Sequence, residues 1–151
     1  PLVSGKHQHS AMKDVRIYYN ENWQGLHWHS FTSAYRRSPF FEFYEDHFRK
    51  FYEEKTDLLV EYNFQFMQTI ASVLKTELSV SFSDKYFTKD EFSGTDYRSH
   101  VMPGKDNTLD FTAYPQVFSD RFPFEKDLSI LDLLFNTGTR AKEYIEQMQL
   151  K

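Results

Sequence analysis

The sequence predicts a mainly helical single domain of the α+β class, spanning residues 1–151, with a small β-sheet beside the helices. Its 151 residues are the usual size of one domain and are enough to bury a substantial core. Apolar residues recur at intervals of three and four, which predicts five helices, near residues 22–36, 39–54, 57–75, 128–136 and 139–149. Two stretches alternate apolar and polar residues instead, which predicts strands at 14–19 and 78–82.

The first two helices have the clearest faces. Asn20 or Asn22 is placed to accept the first free amides of the first helix. Its expected inward face repeats at every fourth residue: Trp23, His27, Phe31 and Tyr35. Ser38 and Pro39 have the pattern of an N-cap followed by a first-turn proline for the second helix. The expected buried stripe of the second helix is the strongest helical signal in the chain: Phe40, Phe43, Tyr44, His47, Phe48, Phe51 and Tyr52.

The remaining elements are bounded by capping residues and by an irregular span. Asp57 is placed to cap the third helix, Gly138 to end the fourth and Thr139 to cap the fifth. Residues 83–125 lose all periodicity and are interrupted by glycine and proline, which leaves one candidate strand near 113–118. A span of this length without periodicity is typical of a functional or mobile segment.

Charge and cysteine content exclude several classes of protein. The chain carries 18 Lys and Arg against 22 Asp and Glu, and its longest basic run is Arg36-Arg37, so we expect no nucleic-acid partner. No stretch approaches the roughly 18 apolar residues of a membrane span, so none is expected. The chain has no cysteine, which suits a reducing compartment and favours a cytoplasmic location.

The aromatic content is the most distinctive feature of the composition. There are 16 Phe, 10 Tyr and 2 Trp, against only 5 Gly. This predicts a core of bulky rings. Stacking on sugars is the alternative interpretation, but Phe has no polar group and mostly fills cores.

The motifs for metals and nucleotides are weak or missing. His7-Gln8-His9 and His27-Trp28-His29 both have the HxH form, which brings two imidazoles together only on an extended strand. The second pair lies in a predicted helix, where residues two apart face different ways. No GxxxxGK[ST], GxGxxG or GxSxG motif occurs. We therefore expect no structural metal, no bound cofactor, no Walker or Rossmann site and no serine hydrolase.

Asp132 is the most informative single residue. It lies in a strongly apolar segment, in which Leu128 and Phe135 are four and three positions away from it and Leu131 is its direct neighbour. Asp132 should therefore share their buried helical face, where an unpaired carboxylate would be costly. We expect a polar partner, which could be Arg98, a loop amide or His27. The pairing could be purely structural, or Asp132 could have a substrate-binding or catalytic role.

Polar residues are concentrated in two places of the irregular span. These are Asp96-Tyr97-Arg98 and Tyr114-Pro115-Gln116. Loops that project from a rigid scaffold often carry binding residues, although solvated loop polarity is the alternative for each residue alone.

Several of these motifs, taken in order, resemble the WbqC-like proteins. The central match is Trp23-x3-His27-x7-Tyr35, then Ser38-Pro39-Phe40-Phe41 and Tyr44. The C-terminal match is Tyr114-Pro115-Gln116-Val117-Phe118, then Phe124, Leu128-Ser129-Ile130-Leu131-Asp132-Leu133-Leu134-Phe135-Asn136-x-Gly138, Ala141 and Tyr144. Asp96-x-Arg98 and Pro103-x-Lys105 lie between them, so the likeness extends over residues 23–144. The proline- and aromatic-rich opening of that family has no counterpart here, and Pro1-Leu2-Val3 resembles the strand that follows it.

The resemblance implies a group transferase that moves a glycyl, another aminoacyl or an acyl group in bacterial surface-polysaccharide (O-antigen) biosynthesis. Its substrate would be a small molecule or a sugar nucleotide. His27 or Asp132 would be the general base toward an amine or hydroxyl acceptor, and Arg98 would hold an anionic group. The expected substrate-binding residues are Tyr35, Asp96, Arg98, Tyr114, Gln116 and Asn136. The alternative is a non-catalytic binding or scaffold module, in which the same residues only hold the helices together.

Overall fold

Helices form in each of the five regions where the apolar period predicts them. The computed structural model describes residues 1–3, 11–98 and 109–150. Its α-helices are α1 (Trp23–Tyr35), α2 (Phe41–Glu53), α3 (Leu59–Val73), α4 (Ile130–Thr137) and α5 (Ala141–Gln147). Two short 3-10 helices cover Met12–Asp14 and Gly138–Arg140. None of the described helices has the length and apolar character needed to cross a membrane.

The core is built around α4, which is buried over nearly its whole length. The ring of Phe135 is fully buried and lies against four aromatic rings of α1 and α2, with centroid distances of 5.2 to 5.8 Å: Phe31, Tyr35, Phe41 and Phe48. Helix α2 also packs against α1 and α3, and α5 packs against α4. The rings therefore fill the core, as the aromatic composition predicts.

The buried stripe of α2 is shifted from the expected one. Phe48 and Phe51 are buried as predicted, but Phe41 is buried in place of Phe40. Phe43 is 76% exposed, and His47 is also exposed. The helix presents Phe41, Phe48 and Phe51 on one face because they follow its 3.6-residue repeat, whereas Phe43 is two positions from Phe41 and faces away.

The expected α+β class is wrong, because the fold is helical and lacks the predicted sheet. In the 14–19 region the structure has only isolated bridges, between Leu2 and Ile17 and between Arg16 and Leu58. The described residues otherwise contain one two-residue antiparallel pairing, Leu109–Asp110 with Gln149–Leu150, which is too short to form a layer of the fold.

The strands expected at 78–82 and 113–118 are also absent from the structure. The three apolar residues that produce the first alternation are all at least 40% exposed: Leu78, Val80 and Phe82. Alternation alone does not make a strand, because a strand needs a neighbour to accept and donate its backbone hydrogen bonds. The segment 78–82 has no such neighbour among the described residues.

Capping follows the sequence at Gly138 and, in position, at Asn22, which is the N-cap of α1 but makes no side-chain capping hydrogen bond. The other predicted caps differ. Gly138 ends α4 with φ 61°, a conformation that favours glycine, and a Cβ there would meet the Phe40 ring at 2.7 Å. Asp57 does not cap α3 and instead pairs with Arg16 at 2.6 Å. The predicted caps Ser38 and Thr139 are not the N-cap residues of α2 and α5, which are Phe40 and Arg140. Phe40 N–H donates to the Phe135 carbonyl at 3.0 Å, which fixes the start of α2 against the end of α4.

Candidate functional site

Asp132 lies in the first turn of α4, with its side chain at the edge of the core. Ser129 is the N-cap, and its hydroxyl oxygen accepts a hydrogen bond from Leu131 N–H at 3.3 Å. Asp132 is 4% exposed, which confirms the predicted burial. The first turn of a helix is a favourable place for a negative charge, because the free amides and the helix dipole point toward it.

Two tyrosines and a glutamine surround the Asp132 carboxylate. The Tyr114 hydroxyl donates to Oδ2 at 2.7 Å. The Gln116 side-chain amide approaches the same oxygen at 3.5 Å. Burial raises the pKa of the Tyr35 hydroxyl to about 12, helped by the charge of Asp132 and a hydrogen bond to it. The expected partners Arg98 and His27 are wrong. A loop amide, the third expected partner, is present as the Gln116 side chain, but the shortest bond comes from the Tyr114 phenol.

The two tyrosines remain protonated donors at neutral pH. Burial is the main cause of the raised pKa of Tyr114, and its hydrogen bond to Asp132 acts in the same direction. An ionised phenol next to a carboxylate would place two negative charges together in the core. Tyr114 therefore acts as a fixed hydrogen-bond donor that orients Asp132, and the protonated Tyr35 hydroxyl lies close to the same carboxylate.

Gln116 fixes the loop that faces Asp132. Its side-chain nitrogen donates to the Glu125 carbonyl at 2.8 Å, and its side-chain oxygen accepts from Glu125 N–H at 2.9 Å. The Ser119 hydroxyl oxygen accepts from Gln116 N–H at 2.8 Å. The two ends of residues 116–125 are thus joined, so that the segment forms a preformed wall.

This wall and the start of α4 enclose a cleft of about 480 Å³. Its size is that of a small-molecule site. Its polar lining residues are Gln116, Glu125 and Asp132, and its apolar lining residues are Val117, Phe118, Phe122, Pro123 and Leu128. The cleft therefore places a buried carboxylate beside an apolar wall that is open to solvent.

Asn136 belongs to the same cluster but points its amide into its own helix. Its side-chain nitrogen donates to the Asp132 carbonyl at 2.7 Å, and the residue is buried. This bond stabilises the turn of α4 that carries Asp132. Asn136 would therefore act on a substrate through the position of Asp132.

Asp96 and Arg98 form a separate pair in the loop. The Arg98 guanidinium donates to both Asp96 carboxylate oxygens at 2.8 Å and to the Phe87 carbonyl at 2.9 Å, and it lies 4.9 Å from the Tyr86 ring. These hydrogen bonds lower the pKa of Asp96 to about 2. Neither Asp96 nor Arg98 lines the cleft.

His27 is exposed on α1, away from the cleft lining. Its ring packs against the edge of Trp23 at 5.3 Å. The inward face of α1 instead contains Trp28, which packs against the core. A catalytic role for His27 stays a prediction.

Two of the sequence motifs fall outside the described residues. These are His7-Gln8-His9 and Pro103-x-Lys105. Within the described ranges, no group of three or more His, Asp or Glu side chains is placed to hold a metal ion.

A comparison with protein families confirms the resemblance. The sequence model of the WbqC-like protein family matches residues 1–93 and 78–144. The chain belongs to this family. No curated protein and no solved structure matches the chain.

In this WbqC-like protein, motif residues that are far apart in the sequence meet at one place. Tyr35 comes from the end of α1, Tyr114 and Gln116 from the irregular span, and Asp132 from α4. The central motif, through Tyr35, and the C-terminal motif, through the other three residues, thus meet at one carboxylate. The cleft beside them makes this cluster the candidate site.

The WbqC-like cleft also has lining residues that sequence reasoning did not select: Phe118, Phe122, Pro123, Glu125 and Leu128. Leu128 was expected inside the fourth helix, on its buried face, but it precedes the N-cap and is 43% exposed. One feature of the sequence pointed to these lining residues: aromatic residues occur in a segment with no helical or strand period. Such rings have no regular core face to fill.

Proposed function

We propose that this WbqC-like protein is a group transferase that moves an aminoacyl or acyl group, such as glycyl, to an amine or hydroxyl acceptor in bacterial surface-polysaccharide biosynthesis. The cytoplasmic location expected from the lack of cysteine stays a prediction and fits this role. One observation carries the proposal. Asp132 is a buried carboxylate that is oriented by hydrogen bonds and borders a cleft of small-molecule size.

Asp132 would act as the general base. It would take the proton from the acceptor N–H or O–H while the acceptor atom forms its bond to the carbonyl carbon of the donor. The bond to the leaving group would then break, and its electron pair would leave with that group. Tyr114 and Gln116 hold the carboxylate in place, so their contribution is orientation.

A transfer assay tests the proposal. The purified protein is incubated with activated aminoacyl or acyl donors and with amine or hydroxyl acceptors, and mass spectrometry detects the joined product. We expect product with the wild type and a loss of about 100-fold or more in rate with Asp132→Asn, since this is the usual contribution of a general base.

Glu53→Gln is the matched control, because it removes an exposed carboxylate of α2 away from the cleft. It should retain the wild-type rate. An Asp132→Asn protein that is folded and fully active would refute the role of Asp132. Absence of product from the wild type with every donor class would refute the transferase.

A non-catalytic binding module is the second candidate. It is favoured by the exposed apolar residues after α3, Leu78, Val80 and Phe82, which a partner could cover. In that case the hydrogen bonds of Asp132 would be structural only. The same assay separates the two candidates, since a binding module gives no product.

A further inference from the structure

We propose that the cleft beside Asp132 is the acceptor site of the transferase and that it selects a primary ammonium group carried on a ring with an apolar face. This inference rests on the proposed function, because it names the substrate class of the same site. An amino sugar and a benzylic amine both have this chemistry. A nucleotide phosphate does not.

The charges of the lining favour a cation. The ionisable residues that line the cleft are Glu125 and Asp132, both acidic, and no Lys, Arg or His is among the described lining residues. A phosphate or pyrophosphate would enter against two carboxylates without a cation to pair with it. A protonated amine would meet attraction from both residues.

The position of Asp132 favours an amine that reaches the end of the cleft. Asp132 is almost completely buried, and its carboxylate is already oriented by Tyr114. An ammonium group that reaches this carboxylate from the cleft would donate a charge-assisted hydrogen bond to it away from bulk water. Such a bond is stronger than one between neutral groups. Asp132 would take one proton from this ammonium group, which frees the nitrogen lone pair to attack the donor carbonyl, and the second proton that the nitrogen loses as the amide forms would depart with the leaving group.

The aromatic side chains of the wall formed by residues 116–125 favour a ligand that contains a ring. Phe118 and Phe122 are 48% and 64% exposed, although most phenylalanines of the central helices are packed inside. The flat faces of such rings pack against the apolar face of a sugar or against another aromatic ring, and they also attract a nearby cation. Pro123 and Leu128 extend the same apolar wall.

The wall does not have to form when the ligand binds. The paired hydrogen bonds between Gln116 and Glu125 already hold residues 116–125 in place. A preformed site loses less conformational entropy on binding, so its selectivity should be measurable even with small fragments.

NMR titration of the full chain with paired probes tests the proposal below neutral pH, where the amines are protonated. Glucosamine is compared with glucose, and benzylamine with benzyl alcohol. In each pair, one compound carries an amine where the other carries a hydroxyl. Uridine monophosphate is the anionic probe. We expect each amine to bind about 10-fold or more tightly than its neutral partner, and the anion to bind more weakly than either amine. The two pairs distinguish a sugar from an aromatic ring.

Substitutions of the lining residues test whether the probes bind in this cleft. Asp132→Asn should weaken the amines by about 10- to 100-fold and leave the neutral probes nearly unchanged. Phe122→Ala should weaken all ring probes by about 2- to 10-fold. Phe43→Ala, which removes an exposed phenylalanine on α2, is the control and should change nothing. Glu125→Gln changes an exposed lining residue and should also weaken the amines, which keeps the test valid if Asp132→Asn does not fold.

Equal affinity for amine and neutral probes would overturn the inference, as would tighter binding of uridine monophosphate. Amine binding that depends on Asp132, without any transfer product, would support the amine selectivity of the cleft and refute the proposed function, and with it the role of the cleft as an acceptor site. Transfer to hydroxyl acceptors without selection for amines would support the function and overturn the inference.

Discussion

Asp132 is tolerated in the core because its surroundings supply donors rather than a countercharge. The Tyr114 hydroxyl at 2.7 Å satisfies Oδ2, and the first turn of α4 favours its charge. A carboxylate held by neutral phenols keeps its negative charge available to a ligand. A carboxylate paired with arginine, as Asp96 is with Arg98, would have that charge neutralised.

The cost of losing Asp132 should depend on what replaces it. Asp132→Ala leaves the buried Tyr114 hydroxyl without its acceptor, so the free energy of unfolding should fall by about 1 to 3 kcal/mol. Asp132→Asn keeps the volume and an acceptor oxygen, so it should cost less stability while it impairs function. Urea denaturation measures both. Equal stability of Asp132→Ala and wild type would show that the hydrogen bond contributes nothing.

Tyr35 should titrate with a pKa of about 12, above the ordinary value of 10.0. Because the pKa is raised in the folded state, the neutral phenol contributes stability that is fully present below about pH 10 and is lost as the pH rises through about 12. An ultraviolet absorbance titration of wild type and Tyr35→Phe isolates this group. A difference spectrum that appears near pH 10 would place Tyr35 in contact with water instead of Asp132.

At the scale of single helices, α2 shows how burial depends on helical register. Phe48 is fully buried against Phe66 and Phe135, whereas Phe43 is exposed on the same helix. Phe48→Ala should lower the free energy of unfolding by about 3 to 5 kcal/mol. Phe43→Ala should stay within about 0.5 kcal/mol of wild type. Denaturant midpoints of the two variants give the comparison, and similar losses for both would contradict this register.

The helices could be predicted from the sequence because a 3.6-residue apolar period reports directly which face is buried. The face of α2 was misassigned because Ser38-Pro39 suggested an earlier start, and two more phenylalanines then fitted the stripe. The strand expected at 78–82 was wrong because alternation describes one segment, whereas a strand also depends on a distant partner.

For the candidate site, too, the features set by nearby residues could be predicted from the sequence, and the contacts between distant residues could not. The burial of Asp132 could be predicted because its segment is strongly apolar and Phe135 lies three positions away on the same helical face. Leu128, four positions before it, did not contribute, since it precedes the N-cap and is 43% exposed. The partners of Asp132 could not be predicted, because Tyr114 lies 18 residues away in a span without periodicity. Arg98 has the opposite charge, but Asp96 is only two residues from it and forms the bidentate pair.

At the scale of the whole molecule, the aromatic core serves to bring distant segments together. Phe135 joins α4 to α1 and α2, and the same helix carries Asp132 toward the cleft. The end of α1 supplies Tyr35, and the irregular span supplies the opposite wall. The long segment without periodicity is thus partly explained as the wall of the candidate site.

A site centred on Asp132 is tested by the rates of product formation of Asp132→Asn and His27→Asn, measured side by side in the transfer assay. Both substitutions remove a group able to accept a proton, but Asp132 borders the cleft while His27 is exposed on α1. We predict a loss of about 100-fold or more for Asp132→Asn and a rate close to wild type for His27→Asn. The reverse result, with His27→Asn inactive and a folded Asp132→Asn active, would contradict a site centred on Asp132.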